Sequence, residues 1–483
     1  MIKTKNSTLL LLLGVTAATF NLNAHAESFL EVYELATLND PGLASAYNTT
    51  MANREALPSA IAGFLPVIQG TAQMNNNLSD LSAQFGDPTL QTFPGTNLNL
   101  EQDIIREQIL NASLNQPIFN LALWHTLKQA RQIVSQADAN YMAAEQDLII
   151  RTATAYFNVL QAQDNLEFVV AQKRSVGRQL EQTRSRYNAG VVAITDLKDL
   201  QAQFDAQTAD EIQAANDVRN VQQQLQNITG VYVEHVDGLR VLPLESPEPA
   251  NDEEWVDMAE LYNPTLLASQ YQTESLEYQV AVQKDQHLPI VEYNAGYGSA
   301  RGGTPAHPEG DWERQWQSSV QASVNIFSGG QIQSNVRRAQ YDYQAALENY
   351  EQVRRDTETN VRNSYRNVIT AIGQVNALKR AVESASISLE ATTAGYGAGT
   401  RTSVDLLSNI SNLYQQESSL AAAKYNYIIA ILELKRAAGT LNSDDVFQVS
   451  SWLKANMKEA QTIIESIPGA SGTRENPNIH RNY

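Results

Sequence analysis

The sequence predicts a mainly α-helical chain that carries a smaller β part and is built from one unit used twice. Three observations predict this fold class: an internal repeat, long proline-free segments with heptad periodicity, and short segments in which polar and apolar residues alternate. The chain has 483 residues and a formal net charge of −19, and it contains no cysteine. This acidity argues against nucleic acid as a partner, because binding to nucleic acid requires clustered Lys and Arg.

The first residues have the character of an export signal, and we predict a signal peptide over residues 1–26. Lys3 and Lys5 give a positive start, residues 8–15 form an apolar core, and Ala-His-Ala at 24–26 forms a small-x-small cleavage site. The apolar core is far shorter than the roughly 20 residues of a membrane-spanning helix. No later stretch is apolar enough to cross a bilayer as a helix. The predicted destination is therefore the periplasm, the outer membrane or the medium.

The internal repeat is carried by residues at matching positions in the two halves. The matched positions are Asp40-Pro41 with Asn263-Pro264, Leu65-Pro66 with Leu288-Pro289, Phe119 with Phe327, Gly190 with Gly399, and Gly230 with Gly439. The first copy has extra residues between Pro66 and Phe119. The Asn-, Ser-, Gly- and Pro-rich segment 75–99 is predicted to be the loop that accounts for them.

The repeat divides the chain into domains. After the signal peptide, residues 27–245 form the first repeat, predicted to run helix, two strands, long helix, helical hairpin and part of a mixed belt. Residues 246–445 form the second repeat in the same order. Residues 446–483 are predicted to add a C-terminal belt segment and a polar, disordered tail.

Two segments in each copy alternate between apolar and polar residues, which is the period of a half-buried strand. The positions on the mainly apolar face are Ile68, Gly70, Ala72 and Met74; Leu110, Ala112 and Leu114; Val291, Tyr293, Ala295 and Tyr297; and Trp316, Ser318, Val320, Ala322, Val324 and Ile326. A soluble sheet over a core and a membrane barrel both produce this pattern. The alternation alone favours the soluble sheet, whereas lengths of about 10 residues and an uncharged polar face favour the barrel. Four strands cannot close a membrane barrel, so a barrel would be shared by several chains.

The helical segments contain no proline from 118 to 242 and from 309 to 467. Apolar residues recur there at every seventh position, as in a coiled coil. The series are Leu127, Val134, Tyr141, Leu148, Ala155, Ala162, Val169 and Val176, and then Val361, Val368, Val375, Val382, Leu389 and Tyr396. A helix over 120–187 would be about 100 Å long, which suits a span across a periplasm better than a compact domain.

Each long helix is predicted to end at a glycine and to restart at once, which makes a helical hairpin. The predicted caps are Gly190 and Gly399 at the C-termini, and Thr195 and Ser403 at the N-termini that follow. Asp196 and Asp405 then lie in a first helical turn, where the helix dipole favours negative charge.

These features resemble the TolC family of outer-membrane channel-tunnels. The segments that carry the resemblance are TATAYFNVL at 152–160, RYNAGVVAITD at 186–196, HLP at 287–289, IFSGG at 326–330 and AGYGAGTRT at 394–402. The resemblance covers about residues 28–445 and implies a trimer. In this family each protomer gives four strands to a 12-stranded outer-membrane barrel and its helices to a 12-helix periplasmic barrel. A mixed belt lies midway, here expected from residues 231–262 and 441–455.

The resemblance also implies the function, partners and site. The chain is expected to be a passive duct and not an enzyme, located in the outer membrane with a large periplasmic extension. The implied partners are two further copies, a periplasmic adaptor, an inner-membrane pump that supplies drugs or secreted proteins, and outer-membrane lipid. The barrel would place Val291, Tyr293, Val320 and Val324 toward lipid, and the loop 75–99 would face the exterior.

The family's gate implies roles for residues at both hairpin tips. The implied gate residues are Gln179, Thr195, Asp196, Tyr396 and Arg401, with Asp405 in an acidic ring at the constriction and Gly190 and Gly399 as adaptor contacts. Helix capping alone would account equally well for the two glycines and for Thr195 and Asp196, and a solvated loop position would account for Arg401. Ser408 stands where the family has a second acidic ring, so one ring of three carboxylates is expected.

Two other classes of protein are weighed against the channel. A periplasmic or surface coiled-coil spacer or adhesin is the alternative, although it predicts neither amphipathic strands nor duplicated hairpins capped by glycine. An enzyme would need convergent titratable groups. The six histidines show no metal-binding spacing, and the glycines at 395, 397 and 399 follow no strand, so no metal, cofactor or catalytic residue is predicted.

Overall fold

The computed structural model describes residues 28–79, 103–240, 242–303 and 310–453. The predicted signal peptide and the tail after residue 453 lie outside the described residues, as does most of the predicted loop 75–99. Within the described ranges the chain forms ten helices and four strands, and the order of these elements repeats.

The first half consists of α1 (Phe29–Asn39), α2 (Pro41–Arg54), α3 (Ala56–Ala62), β1 (Val67–Ser79), β2 (Asp103–Phe119), α4 (Leu121–Asn188) and α5 (Ile194–Thr229). The second half consists of α6 (Asp252–Tyr262), α7 (Pro264–Asp285), β3 (Ile290–Gly303), β4 (Glu313–Ser323), α8 (Gln331–Gly397), α9 (Ser403–Ala437) and α10 (Ser443–Leu453). The predicted boundary after residue 245 falls in the segment between α5 and α6, whereas the one after 445 falls inside α10.

The long helices are confirmed. Helices α4 and α8 have 68 and 67 residues, which corresponds to about 100 Å each at 1.5 Å per residue. The heptad positions form the packed face, since Val361, Val368 and Val375 of α8 are fully buried. Helix α4 packs between α5 and α9 and α8 packs on α9, while α7 lies between α4 and α8 nearer the strands. No helix in the described ranges is both long and apolar enough to span a bilayer.

The largest core lies where the long helices meet short ones. Phe29 of α1 packs edge-on against Tyr156 of α4 with ring centroids 5.3 Å apart, and Phe157 stacks on Tyr425 of α9 at 5.7 Å. Trp255 of α6 and Val446 of α10 complete this core. The segments predicted to form a belt therefore contribute to the interior that fixes the helices in place.

The repeat is visible in how each half begins a helix. Asp40 caps α2, with Oδ1 accepting from the Leu43 N–H at 2.7 Å, and Pro41 occupies the first helical position. Asn263 caps α7 in the same way and accepts from Thr265 and Leu266, each at 3.0 Å. A side-chain acceptor followed by proline is a strong helix start, because proline leaves no amide unsatisfied there.

Each of these helix starts lies against the glycine that ends the hairpin of its own half. An ideal Cβ on Gly230 would lie 3.0 Å from Asn39 Cβ, and one on Gly439 would lie 2.3 Å from the carbonyl oxygen of Tyr262. The Asn263 side-chain amide also donates to the Ala437 carbonyl at 2.8 Å. We call these two places, Asn39 beside Gly230 and Tyr262 and Asn263 beside Gly439, the cap–glycine joints. They tie the returning helix of each hairpin to the start of its repeat.

The four strands form one antiparallel sheet in the order β1-β2-β3-β4. The register places apolar residues opposite one another, as in the pairs Ile68 with Leu114, Ala112 with Tyr297, and Tyr293 with Val320. This face is open, since Ile68 is 73% exposed, Trp316 68% and Val320 65%. On the other face Asn115 donates to Asn294 at 2.8 Å. The predicted two-faced alternation is therefore confirmed. The polar face is not uncharged as predicted, because Glu292 lies on it and accepts from the Asn115 side chain at 3.3 Å.

The strand ends differ from the prediction. The strands have 13, 17, 14 and 11 residues, so most exceed the predicted length of about 10. Strand β1 runs on to Ser79, so the first part of the predicted loop 75–99 is strand. Strand β4 ends at Ser323, so Val324 and Ile326 follow the strand. The reason is that Ser323 pairs with Ile290, and the preceding Pro289 has no N–H with which to extend the ladder.

Candidate functional site at the hairpin tips

Both hairpins turn through the same C-cap. Gly190 and Gly399 each have φ of +74°, the left-handed conformation that a side chain disfavours. The N–H of Gly190 donates to Tyr187 O at 2.8 Å and that of Val191 donates to Arg186 O at 2.9 Å, which is the Schellman motif. Gly399 and Thr400 repeat it with Tyr396 and Gly395. A Cβ on either glycine would meet open space, so the backbone angle alone requires them.

The helices that follow the turns begin differently from the prediction. Helix α5 has Ala193 at its N-cap with no side-chain cap, and Thr195 is the exposed second helical residue. Helix α9 is capped by Thr402, and Ser403 is its first helical residue. The predicted capping roles of Thr195 and Ser403 are therefore wrong. The cap is decided by which residue has extended backbone, and Ala193 and Thr402 have it.

Asp405 completes a capping box at the tip of the second hairpin, α8–α9, which we call the inner hairpin; the first hairpin, α4–α5, is called the outer hairpin. Its backbone N–H donates to the Thr402 hydroxyl at 3.1 Å, and its carboxylate accepts from the Thr402 N–H at 3.0 Å. These hydrogen bonds, with a smaller contribution from the charge of Arg401, hold the pKa of Asp405 below its ordinary value. Asp405 is therefore a carboxylate fixed near the hairpin tip and stabilised in its ionised form.

Tyr396 lies at the end of a small apolar cluster between the two hairpins. The buried members of this cluster are Val176, Leu180, Leu200, Tyr396, Leu406 and Ile410. The Tyr396 hydroxyl is 2.9 Å from Thr183 Oγ1 of α4, and the guanidinium carbon of Arg186 lies 5.5 Å from the centre of its ring. Tyr396 therefore connects the inner hairpin to the outer hairpin of the same chain.

Asp196 makes the second connection between the hairpins. Its Oδ1 accepts from the Ser403 hydroxyl at 3.1 Å, which joins the first turn of α5 to the first turn of α9. Ser403 is buried and Asp196 is half-buried. Ser403 thus has a role at the tip, although it is a role in cross-linking the hairpins and not in capping.

Arg401 folds its stem back onto the end of α8. A Cβ added to Gly395 would lie 2.8 Å from Arg401 Cγ, so the glycine makes room for the arginine. The head of Arg401 is exposed and forms no ion pair within the described part of the chain. The structure does not bring Arg401 and Asp196 together in one chain. A contact between them would have to form between chains.

Two predicted residues have less support from the geometry. Gln179 is half-buried on α4 beside Leu180, and its side chain makes no hydrogen bond to any described residue. Ser408, the residue in place of a second acidic ring, is exposed on α9 one turn after Asp405. Among the described residues no cluster of His, Asp or Glu is placed to hold a metal ion.

Thr183 and Arg186 also belong to this site, although neither was predicted from the sequence. The signal for Thr183 was available, because the heptad series of α4 continues from Val176 to Thr183 just as that of α8 ends at Tyr396. The two series meet at the hydrogen bond between Thr183 and Tyr396. Arg186 had no comparable signal, since a basic residue in a last helical turn is common for reasons of the helix dipole.

Comparison with known proteins agrees with this architecture. The chain matches the outer membrane efflux protein family over residues 32–231 and 255–440. It is 36% identical to the outer membrane protein TolC of Vibrio cholerae over 459 residues, which cover 93% of this chain and 99% of that protein. It is 27% identical to the alkaline protease secretion protein AprF of Pseudomonas aeruginosa, with 91% and 90% covered.

Solved structures share the fold. The CmeC outer membrane channel of Campylobacter jejuni superposes with a TM-score of 0.72 at 17% identity, covering 89% of this chain and 90% of that one. The predicted fold class, family and outer-membrane location are confirmed by these matches, which do not favour the spacer or adhesin. This chain, with its two helical hairpins below a four-stranded sheet, belongs to the outer membrane efflux protein family, whose members include TolC.

Proposed function

We propose that three copies of this chain form a passive duct, gated at its periplasmic end. The duct would conduct drugs and secreted proteins from an inner-membrane pump and a periplasmic adaptor to the exterior, without chemistry of its own. The observation that carries this proposal is the sheet, which exposes an apolar face and whose two edges pair with no other strand in the described part of the chain.

The open edges support the trimer. Among the described residues, strand β1 and strand β4 each pair on one side only, and an exposed strand edge is a template for another chain. A membrane barrel needs about eight or more strands, and three chains with four strands each provide twelve. The strand β4 of one chain would then pair with β1 of the next, and the open apolar face would meet lipid.

The helices give matching support. Helix α8 packs on α9, α7 and α6, and it also carries exposed Tyr341, Ile369 and Ile387. Helix α5, at the other side of α4, exposes Ile212. Exposed apolar residues on both α5 and α8 are consistent with neighbouring copies of the chain that cover these residues in the trimer.

The names of the relatives support the cargo. One curated relative is an outer membrane protein of the TolC type and another is a protease secretion protein, and both match over nine-tenths of this chain or more. Efflux and export of secreted proteins are therefore both proposed. The adaptor would bind at the tips around Gly190 and Gly399, because these turns are the exposed ends of the hairpins.

The gate is proposed to combine the predicted residues across chains. The exposed Arg401 head would reach the Asp196 carboxylate of a neighbouring chain, where its fork of donors matches two oxygens. Thr195 is exposed beside Asp196 and offers a hydroxyl at the same place. Gln179 lies on α4, farther from the hairpin tip. Tyr396 holds the inner hairpin against the outer one. The closed state would be the resting state.

The combined change Arg401→Ser with Tyr396→Phe should raise single-channel conductance in planar bilayers several-fold. One partly solvated ion pair contributes little, but three symmetric copies act together on one aperture. Trimers run on an unheated gel should be unaffected. Unchanged conductance with intact trimers would place closure elsewhere in the helical barrel. A wild-type chain that gives neither a trimer nor a channel would overturn the duct itself.

The Asp405 ring should make the channel prefer cations, and this preference should persist as the pH falls to about 4. The reason is that a lowered pKa keeps each carboxylate ionised below its ordinary range. Reversal potentials across a salt gradient, measured from pH 7 to pH 3.5, test this. Asp405→Asn should lose the preference at every pH, whereas Ser408→Asn should keep it. Loss in the wild-type channel already at pH 6 would mean that repulsion among the three carboxylates outweighs the Thr402 hydrogen bonds.

A further inference from the structure

The contact between Thr183 and Tyr396 bridges helices that are otherwise held apart. Along most of their lengths α4 and α8 are separated by α7 nearer the strands and by α9 nearer the tips. At the tips the Tyr396 side chain reaches from α8 to α4, where its hydroxyl lies 2.9 Å from Thr183 Oγ1. Thr183 is 0% exposed and Tyr396 is 8% exposed. This hydrogen bond is therefore formed away from water.

A second group on α4 holds the same ring. The guanidinium carbon of Arg186, one turn after Thr183, lies 5.5 Å from the centre of the Tyr396 ring. A cation over the face of a tyrosine is attracted by the ring, independently of the hydroxyl. Tyr396 is thus held at its hydroxyl by one residue of α4 and at its face by another.

Separation of the two hairpins would break both contacts. A buried hydroxyl that loses its only partner costs more than an exposed one, because no water replaces the lost bond at once. Arg401 follows Tyr396 by five residues and packs its stem over Gly395, so the position of Arg401 depends on where the end of α8 is held. The contacts of α4 with Tyr396 therefore also determine the position of the Arg401 guanidinium group.

We infer that Thr183 and Arg186 are positioning residues of the gate, which lock the inner hairpin to the outer hairpin of the same chain. This inference rests on the proposed function, since it names residues that keep the proposed duct closed. It adds a lock within each chain to the proposed contacts between chains. Because Thr183 and Arg186 hold Tyr396 in place, Arg401 is positioned to make its proposed contact with a neighbouring chain.

Thr183→Val tests the hydroxyl, since valine keeps the volume and removes the donor and acceptor. We expect conductance in planar bilayers to rise several-fold, and Thr183→Ser, which keeps a hydroxyl, to restore the wild-type value. Thr152→Val is the matched control, because Thr152 is a fully buried threonine of the same helix whose hydroxyl has no hydrogen-bond partner among the described residues. This control should leave conductance unchanged. All variants are first checked for trimers on an unheated gel.

Combined variants separate the two contacts. Thr183→Val and Tyr396→Phe remove the same hydrogen bond, so the pair together should open the channel no further than either alone. Arg186→Met removes only the contact on the ring face and should add to Tyr396→Phe. Additive effects of Thr183→Val and Tyr396→Phe, or a Thr183→Val channel that stays as closed as the wild type, would overturn the inference. Because a gated wild-type channel is the reference, this failure is distinct from failure of the proposed duct.

Discussion

Gly439→Ala is expected to destabilise the folded chain by about 3 kcal/mol or more, the largest effect of a single methyl group that we expect here. The added Cβ would lie 2.3 Å from the Tyr262 carbonyl oxygen and 2.5 Å from the Asn263 nitrogen, both of them backbone atoms that cannot rotate away. The cap–glycine joint of the second repeat would have to open. Helix α9 would then lose its register against the start of α7, and the Asn263 hydrogen bond to Ala437 would be lost with it.

Gly399→Ala is the matched control for this change. Gly399 has the same φ of +74°, but a Cβ there meets open space. It should therefore cost only the backbone strain of about 1–2 kcal/mol. The temperature at which the detergent-solubilised trimer dissociates, together with its yield in the outer membrane, measures both variants. If the two alanine variants proved equally stable, backbone strain alone would account for the loss of stability. The close approach of the added Cβ to Tyr262 would then contribute nothing.

Val320→Arg is expected to block stable insertion of the barrel, whereas Gln321→Arg should be tolerated. The two residues are neighbours on β4 and point to opposite faces of the sheet. Val320 pairs with Tyr293 on the apolar face, and Gln321 pairs with Glu292 on the polar face. Arginine facing lipid costs about 2–4 kcal/mol at the bilayer midplane, and each trimer would carry three. Arginine at 321 instead gains a carboxylate opposite it.

Membrane fractionation followed by an unheated gel reads out both barrel variants. We expect a marked loss of outer-membrane trimer for Val320→Arg and near-normal amounts for Gln321→Arg. Equal assembly of the two would show that neither face meets lipid. Loss of Gln321→Arg alone would show that the faces are reversed, with the polar side outward.

Much of the fold followed from periodicity, because periodicity reports packing directly. Heptad positions such as Val361 and Val368 are buried because they face α9 or α7, and the alternation around Tyr293 and Val320 fixed the faces of the sheet. The pairing of Asp40 with Asn263 and of Gly230 with Gly439 was also readable. What those residues do was not, because the cap–glycine joints form between positions far apart in the chain.

The predicted tip residues show the limit of sequence reasoning most clearly. Thr195 and Ser403 are good capping residues by type, but the backbone places Ala193 and Thr402 at the caps. Composition gives no access to the backbone angle that decides between adjacent residues. The bond between Ser403 and Asp196 likewise depends on how two hairpins lie side by side, which no local pattern encodes.

The unpaired edges of β1 and β4 constrain how the protein can be made. A backbone N–H or C=O without a partner costs several kcal/mol in hydrocarbon, so a lone chain with two open edges cannot enter the membrane. Three chains must therefore gather before or during insertion. Trimer formation is then limited by the association of separate chains. Its rate rises more steeply than in proportion to the concentration of newly exported chains. If a cell slows export of the chain, the amount of assembled trimer should therefore fall by a larger factor than the total amount of the chain.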